Sequence, residues 1–308
     1  MSNITTIMTE FLLLGFSDTQ ALKILYSLLF FLLYSSSLMG NLLIVIITIF
    51  DRRLHTPMYF FLRNFSIVDA CYISVTVPLA SINSLLNNRV ISYSGCAAQV
   101  FLLIFLAYFE ITLLTVMAHD LYFAICHPLH YTVIMRSSVC MKMTLTCLVT
   151  VLFYSAFYTC YTFRLSSCQS NVIHQFSCDI YSLLTQDLLL RDISSILSLG
   201  VGCFGFIIAS YSRIFSTLFR FPMKEQKSKA FSTFLPHIIV ISLFVLSICI
   251  VYLQPTSESG SIKDIIFSIS YTILIPFLNP IIYSLWNYQI KESIRVIMCR
   301  KLLLSNIA

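Results

Sequence analysis

The chain has 308 residues, of which 58% are hydrophobic and only 10% charged, with a mean hydropathy of +0.88. Soluble domains carry about 25% charged residues, so the solvent of this chain is lipid. The net charge of +6 is small, and what matters is where the positive residues lie; it gives no nucleic-acid signal.

Seven stretches are free of charge or carry a single one: 24–50, 64–86, 97–118, 143–163, 193–212, 234–254 and 265–286. Each has roughly the 20 residues a helix needs to cross the hydrocarbon core. Membrane β-strands are about 10 residues long and alternate in polarity, so a barrel is excluded. No repeat relates the two halves, which speaks against an inverted-repeat transporter. Lys and Arg set the orientation. Loops 51–63, 119–142, 213–233 and 287–308 hold 14 of them; 1–23, 87–96, 164–192 and 255–264 hold 5. The positive-inside rule puts the first set in the cytoplasm, with the N-terminus extracellular and the C-terminus cytoplasmic.

The tail, 1–23, carries Asn3-Ile4-Thr5, a glycosylation acceptor on the expected outer side. It lacks a basic start and a cleavage site, so the first span is expected to act as the insertion signal. Asn64-Phe65-Ser66 matches the same tripeptide but sits at the inner membrane edge, where it is not expected to be used. Span one holds Asn41. Spans two and three hold Asp69 and Glu110, the two full charges within the seven stretches. An ionisable group at mid-membrane is costly and is read as functional or paired.

Helical residues 3, 4, 7 or 11 apart share a face, so Leu103, Ala107, Glu110, Leu114, Met117 and Leu121 form one stripe. Glu110 cannot favourably face lipid, so the stripe faces the bundle interior. Leu121 then lies at its cytoplasmic end, about 16 Å below Glu110. If spans two and three are neighbours, Asp69 and Glu110 approach each other. Two readings stay open: a cation site, or a protonated and hydrogen-bonded pair.

Residues 117–126 read MAHDLYFAIC and end the third span with Asp120 directly before Leu121. Asp120 is expected near water, where it can be solvated. His127 and His130 flank Pro128 in the following inner loop and are expected to be solvated too. Three of the eleven cysteines fall in outer segments: Cys96, Cys168 and Cys178. Free thiols and a bridge across the outer surface both remain open.

Arg213, Arg220, Lys224, Lys227 and Lys229 make the inner ends of spans five and six basic. Span seven contains Asn279-Pro280-Ile281-Ile282-Tyr283, where a proline frees a carbonyl and allows a kink. Beyond it, Ile290, Ile294, Ile297 and Met298 alternate with Lys291, Arg295, Arg300 and Lys301. That spacing reads as a short amphipathic helix on the inner leaflet. Cys299 is either a free thiol or a palmitoyl acceptor. No metal-ligand cluster, phosphate loop or nucleophile with an adjacent base occurs, so an enzyme is the least favoured class, and no cofactor or metal is expected.

The expected fold is an all-α membrane protein: a seven-transmembrane helix bundle with a short amphipathic C-terminal helix. Its parts are an extracellular tail (1–23), the seven-transmembrane domain (24–286), and a cytoplasmic helix and tail (287–308).

The order of marks is Gly40-Asn41, PMYFFL at 57–62, Asp69, Cys96, MAHDLYFAIC at 117–126, Ser210-Tyr211, KAFSTFLPH at 229–237 and PFLNPIIYSL at 276–285. In this combination the chain strongly resembles the olfactory receptors, a branch of the rhodopsin-like G-protein-coupled receptors. The marks run from the first span to the last. The resemblance implies a plasma-membrane receptor of sensory cilia that binds a small volatile odorant. It further implies coupling to a stimulatory G protein that raises cyclic AMP. It also implies a Cys96–Cys178 bridge that pins the second outer loop over the bundle. By the same alignment the ligand pocket lies in the outer half of the bundle. It takes in Leu103, Ile104, Ala107 and Tyr108 on span three, Ser195 and Leu199 on five, Ile248 and Tyr252 on six, and Thr272 on seven. This set is uncharged, which suits a neutral odorant better than an amine.

The family's third helix ordinarily ends M-A-Y-D-R-Y-V-A-I-C. Here His119 replaces a tyrosine, Phe123 a valine and Leu121 the arginine. In the family that arginine pairs with the neighbouring aspartate at rest. On activation it swings toward the tyrosines represented here by Tyr211 and Tyr283, and it packs on the G-protein tail. Asn279 and Pro280 belong to the same switch. Leucine has neither donors nor charge and makes none of these contacts. The expected result is weak or absent signalling. Other departures point the same way: Leu188 where a loop cysteine is usual, Phe244-Val245-Leu246 for Phe-Tyr-Gly, Trp286 for arginine, and Leu79-Ala80 where a lysine is usual. A folded, non-signalling relative is the second reading. A transporter or channel is the third, favoured only by Asp69 and Glu110.

Overall fold

The computed structural model describes residues 10–13, 20–85, 90–166, 172–173, 186–220, 224–253 and 272–305. The helices in chain order are α1 (Gln20–Phe50), α2 (Pro57–Leu85), α3 (Tyr93–Cys126), α4 (Pro128–Ile134) and α5 (Ser137–Ser166). They continue with α6 (Gln186–Arg220), α7 (Lys224–Leu253), α8 (Leu274–Trp286) and α9 (Tyr288–Ser305). The seven apolar stretches fall on α1, α2, α3, α5, α6, α7 and α8. Among the described residues, five helical segments are long and apolar enough to cross a membrane; Phe234–Ser247 and Leu274–Trp286 are shorter apolar pieces. Residues 265–271 of the seventh stretch lie outside the described residues.

Helices overrun the apolar stretches because capping, not hydropathy, decides where a helix ends. Prolines open α2 and α4, where the missing N–H is no loss. Ser92 caps α3 by accepting from the Gly95 N–H at 3.2 Å. Asn287 breaks α8 from α9, and its Oδ1 accepts from the Gln289 and Ile290 N–H groups at 3.1 and 3.2 Å. At 34 residues α3 is about 51 Å long. It crosses the middle of the bundle, packing against α2, α5 and α6 and touching α7.

The main core runs through Ile44, Phe61, Phe65, Leu113, Leu114, Leu121, Ile214 and Phe234. Large apolar side chains such as Phe31, Leu32, Phe153 and Phe157 face outward, as lipid-facing surface requires. A small sheet, absent from the sequence reading, joins the tail to two loops. Its strands are β1 (Glu10–Leu13), β2 (Val90–Ser92) and β3 (Val172–Ile173), in the order β2-β1-β3. β1 runs antiparallel to β2, with Phe11 opposite Ile91, and parallel to β3, with Leu12 opposite Val172.

Candidate functional site

Polar side chains cluster at two depths between the helices. In the middle, Pro280 has no N–H to give the Pro276 carbonyl one turn earlier. Asn41 takes that place: its Nδ2 donates to the Pro276 carbonyl at 2.9 Å and to the Ser37 carbonyl at 3.0 Å. Gly40 lets the two helices come this close, since a Cβ there would sit 2.9 Å from Pro280 Cγ. Beside it, Asn279 Nδ2 donates to Asp69 Oδ2 at 2.8 Å. The Glu110 carboxyl lies beside Asp69, and both groups are buried. Neighbouring helices thus bring Asp69, Glu110 and Asn279 together. Asp69 Oδ1, Glu110 Oε1 and Asn279 Oδ1 have no hydrogen-bond partner among the described residues. Two buried carboxyls side by side hold a shared proton or a cation.

The second cluster is at the C-terminal end of α3. The inward stripe of α3 is buried at Leu103, Glu110, Leu114, Met117 and Leu121, with Ala107 half-buried. Leu121 is 3% exposed. It lines a cavity of about 10 Å³ with Met117, Met58, Leu62, His237, Tyr283 and Asn287. Tyr211 and His237 Nδ1 are hydrogen-bonded to each other, which ties α6 to α7.

Asp120 departs from the expectation that it is solvated. It is 1% exposed, because α4 folds back against the end of α3. There the Tyr131 hydroxyl donates to Asp120 Oδ1 at 2.9 Å. Burial, and then the Asp120 carboxylate, push the Tyr131 hydroxyl well above its ordinary pKa, so it stays a donor at any physiological pH. His127 and His130 are exposed, and the His127 ring meets the Tyr122 hydroxyl at 3.1 Å. His119 stacks edge-on against Phe123 and tilts against Phe206 of α6. Two of the three substitutions in the motif, His119 and Phe123, therefore pack on each other.

A third group of contacts fastens α9. Ser293 Oγ donates to Asp51 Oδ2 at 2.6 Å, and Asp51 also takes the Arg53 guanidinium at 2.9 Å. The Arg53 side chain first, then Ser293, hold the Asp51 carboxyl well below the usual carboxylate range. Tyr59 shares its hydroxyl between Asn287 Oδ1 at 3.0 Å and Gln289 Oε1 at 2.8 Å. Ile290 is buried and Ile294 half-buried, while Lys291 and Arg295 are exposed.

In the N-terminal half of α3, Leu103 and Ile104 are buried, and Ala107 and Tyr108 half-buried. Ile104 groups with Tyr158 and Phe163 of α5, and the Tyr108 ring meets Tyr154 edge-on at 4.9 Å. These two residues therefore turn toward α5. Thr272 is buried at the start of the last span. Ser195 and Leu199 fall on α6, and Ile248 and Tyr252 on α7. Cys96 is disulfide-bonded. Cys178, Cys168 and Asn3 lie outside the described residues.

The sequence reading gave no role to Tyr131, His237, Tyr59 or Ser293. His237 closes the quoted KAFSTFLPH motif. The signal it carried was a lone histidine at the head of an apolar run.

A bundle of apolar helices threaded by buried polar contacts is the architecture of a membrane receptor. Residues 40–283 match the family model of the 7 transmembrane receptor (rhodopsin family). The chain is 53% identical to human olfactory receptor 14C36, over 97% of this chain and 98% of the relative. It is 48% identical to human olfactory receptor 14A16, over 98% and 99%. It is 41% identical to gorilla olfactory receptor 1G1, over 95% of each. The chain belongs to the olfactory receptors of the rhodopsin-like family, multi-pass plasma-membrane receptors that are not enzymes.

Proposed function

We propose that this receptor binds small, mostly neutral volatile molecules in the outer half of the bundle, and that Leu121 impairs its coupling to the stimulatory olfactory-type G protein. The observation that carries this is Leu121 itself. An apolar side chain is sealed into the inner end of α3 where the family's motif has an arginine. It offers no donor to Tyr211, to Tyr283 or to a G protein. Asp120, the arginine's usual partner, is engaged by Tyr131 instead.

The uncharged set of Leu103, Ile104, Ala107, Tyr108, Ser195, Leu199, Ile248, Tyr252 and Thr272 supports a neutral ligand. The fourteen Lys and Arg of one loop set support an extracellular N-terminus and a cytoplasmic C-terminus. On that orientation Asn3 is the glycosylation acceptor, and Cys178 is the partner of Cys96. The Asp69–Glu110 pair is a proton or cation site beneath the ligand. The burial of Leu121 equally favours the second reading, a folded relative that does not signal.

The test is cyclic AMP in cells expressing the native chain or Leu121→Arg, challenged with a broad odorant panel, with surface staining of both. A response from the variant alone, at equal surface level, is the expected result. A robust agonist response from the native chain refutes the coupling defect.

A further inference from the structure

Lys23, in the first turn of α1, is 8% exposed. A buried ammonium is costly, and the N–H groups at a helix start, which carry partial positive charge, add to that cost. Lys23 is engaged elsewhere in the chain, but an ammonium has three donors and serves more than one acceptor. One turn along the same face Ser27 is buried, and its hydroxyl has no hydrogen-bond partner among the described residues.

α1 and α2 pack side by side in opposite directions, and two contacts fix their register. The Tyr34 hydroxyl lies 3.3 Å from Ser74 Oγ. One turn nearer the start of α1, Phe30 shares a buried cluster with Val77 of α2 and with Ile273. Carried two turns beyond the Tyr34–Ser74 pair, that register brings Ser27 level with Ser81. Ser81 lies one turn past Val77 on the same face and is buried. Its hydroxyl too has no partner among the described residues. Elsewhere on these helices hydroxyls turn back on their own backbone: Ser35 donates to the Phe31 carbonyl at 2.8 Å, and Ser74 to the Ala70 carbonyl at 2.7 Å. Ser27 and Ser81 do not.

We propose that Lys23, Ser27 and Ser81 form a binding site for the carboxylate of a small organic acid, between the N-terminal end of α1 and the C-terminal end of α2. The three side chains bring an ammonium and two hydroxyl donors to a group that only accepts. One ammonium balances one carboxylate, whereas a phosphate dianion would leave a buried charge unpaired. Phe30, Val77 and Ile273, one turn deeper, give an alkyl tail an apolar wall. The site stands apart from the neutral-ligand pocket proposed above, whose residues lie on α3, α6 and α7 with Thr272, so neither reading depends on the other.

Hydrogen–deuterium exchange over residues 20–34 of the full chain tests this, in nanodiscs of zwitterionic lipid at neutral pH with hexanoate or hexanol as the probe. Hexanoate is expected to slow exchange several-fold, and hexanol at the same concentration to leave it unchanged. Lys23→Gln is expected to abolish the protection and Lys23→Arg to keep it. Ser81→Ala is expected to raise the hexanoate concentration needed several-fold. Equal protection by the two probes, no protection by hexanoate, or full protection in Lys23→Gln overturns the proposal. If Lys23→Gln does not fold, hexanoate titrations of Ser27→Ala and Ser81→Ala decide, and native midpoints in both overturn it.

Discussion

Tyr131→Phe removes one oxygen from α4 and keeps the ring that packs on the core. The lost atom is the donor that reaches Asp120 Oδ1 at 2.9 Å, and Asp120 is 1% exposed. No other hydrogen bond to Asp120 is found among the described residues. Burial raises the Asp120 carboxyl to about 7, so near neutral pH this bond is only partly charge-assisted; such a bond contributes about 1–3 kcal/mol, and stranding a buried acceptor costs a similar amount. A loss of about 2 kcal/mol is therefore expected, a factor of roughly 30 in the folding equilibrium. Thermal inactivation of the solubilised receptor measures it, with Asp120→Asn as the control that removes the charge as well. In a Leu121→Arg background the loss should shrink, because the guanidinium gives Asp120 a second partner. An unchanged midpoint for Tyr131→Phe in the native background would refute the reasoning, as would an equal loss in both backgrounds.

Gly40→Ala places a methyl 2.9 Å from the rigid Pro280 ring, so α1 and α8 must part. A loss of about 1–3 kcal/mol is expected, read as reduced surface level and a lower inactivation temperature. The Asp51 carboxyl is held below its ordinary pKa by Arg53 and then Ser293. Its stabilising contribution is therefore complete above the usual carboxylate pKa of about 4 and is lost only as pH falls through the lower folded value. Exchange protection of α9 should be flat from neutral pH down to that point. Ser293→Ala should lower protection at neutral pH while leaving the rest of the bundle unmoved.

Span-sized apolar runs made the bundle legible, because a helix crossing lipid must be long and nearly uncharged. The stripe from Leu103 to Leu121 followed from helical period, and the structure buries most of it. Helix ends were less legible: α2 begins at Pro57, seven residues before the apolar run at 64, because proline and caps decide the boundary. The environment of Asp120 was misread for a related reason. Charge and position at a membrane edge suggest solvent, but α4 returns Tyr131 from 11 residues away to cover it. The sheet of β1, β2 and β3 escaped because a four-residue strand leaves almost no periodicity to read. Leu121 itself was legible only against the family motif, since leucine in an apolar helix is unremarked by composition.

The central claim is that the inner end of α3 lacks its switch because Leu121 stands there. Nucleotide exchange on purified stimulatory G protein, with native and Leu121→Arg receptor reconstituted at equal density in nanodiscs, tests it without the complication of surface delivery. The account predicts little odorant-dependent exchange from the native chain and clear exchange from the variant with the same odorant. Equal, strong exchange from both would contradict it and would show that this receptor couples without the arginine.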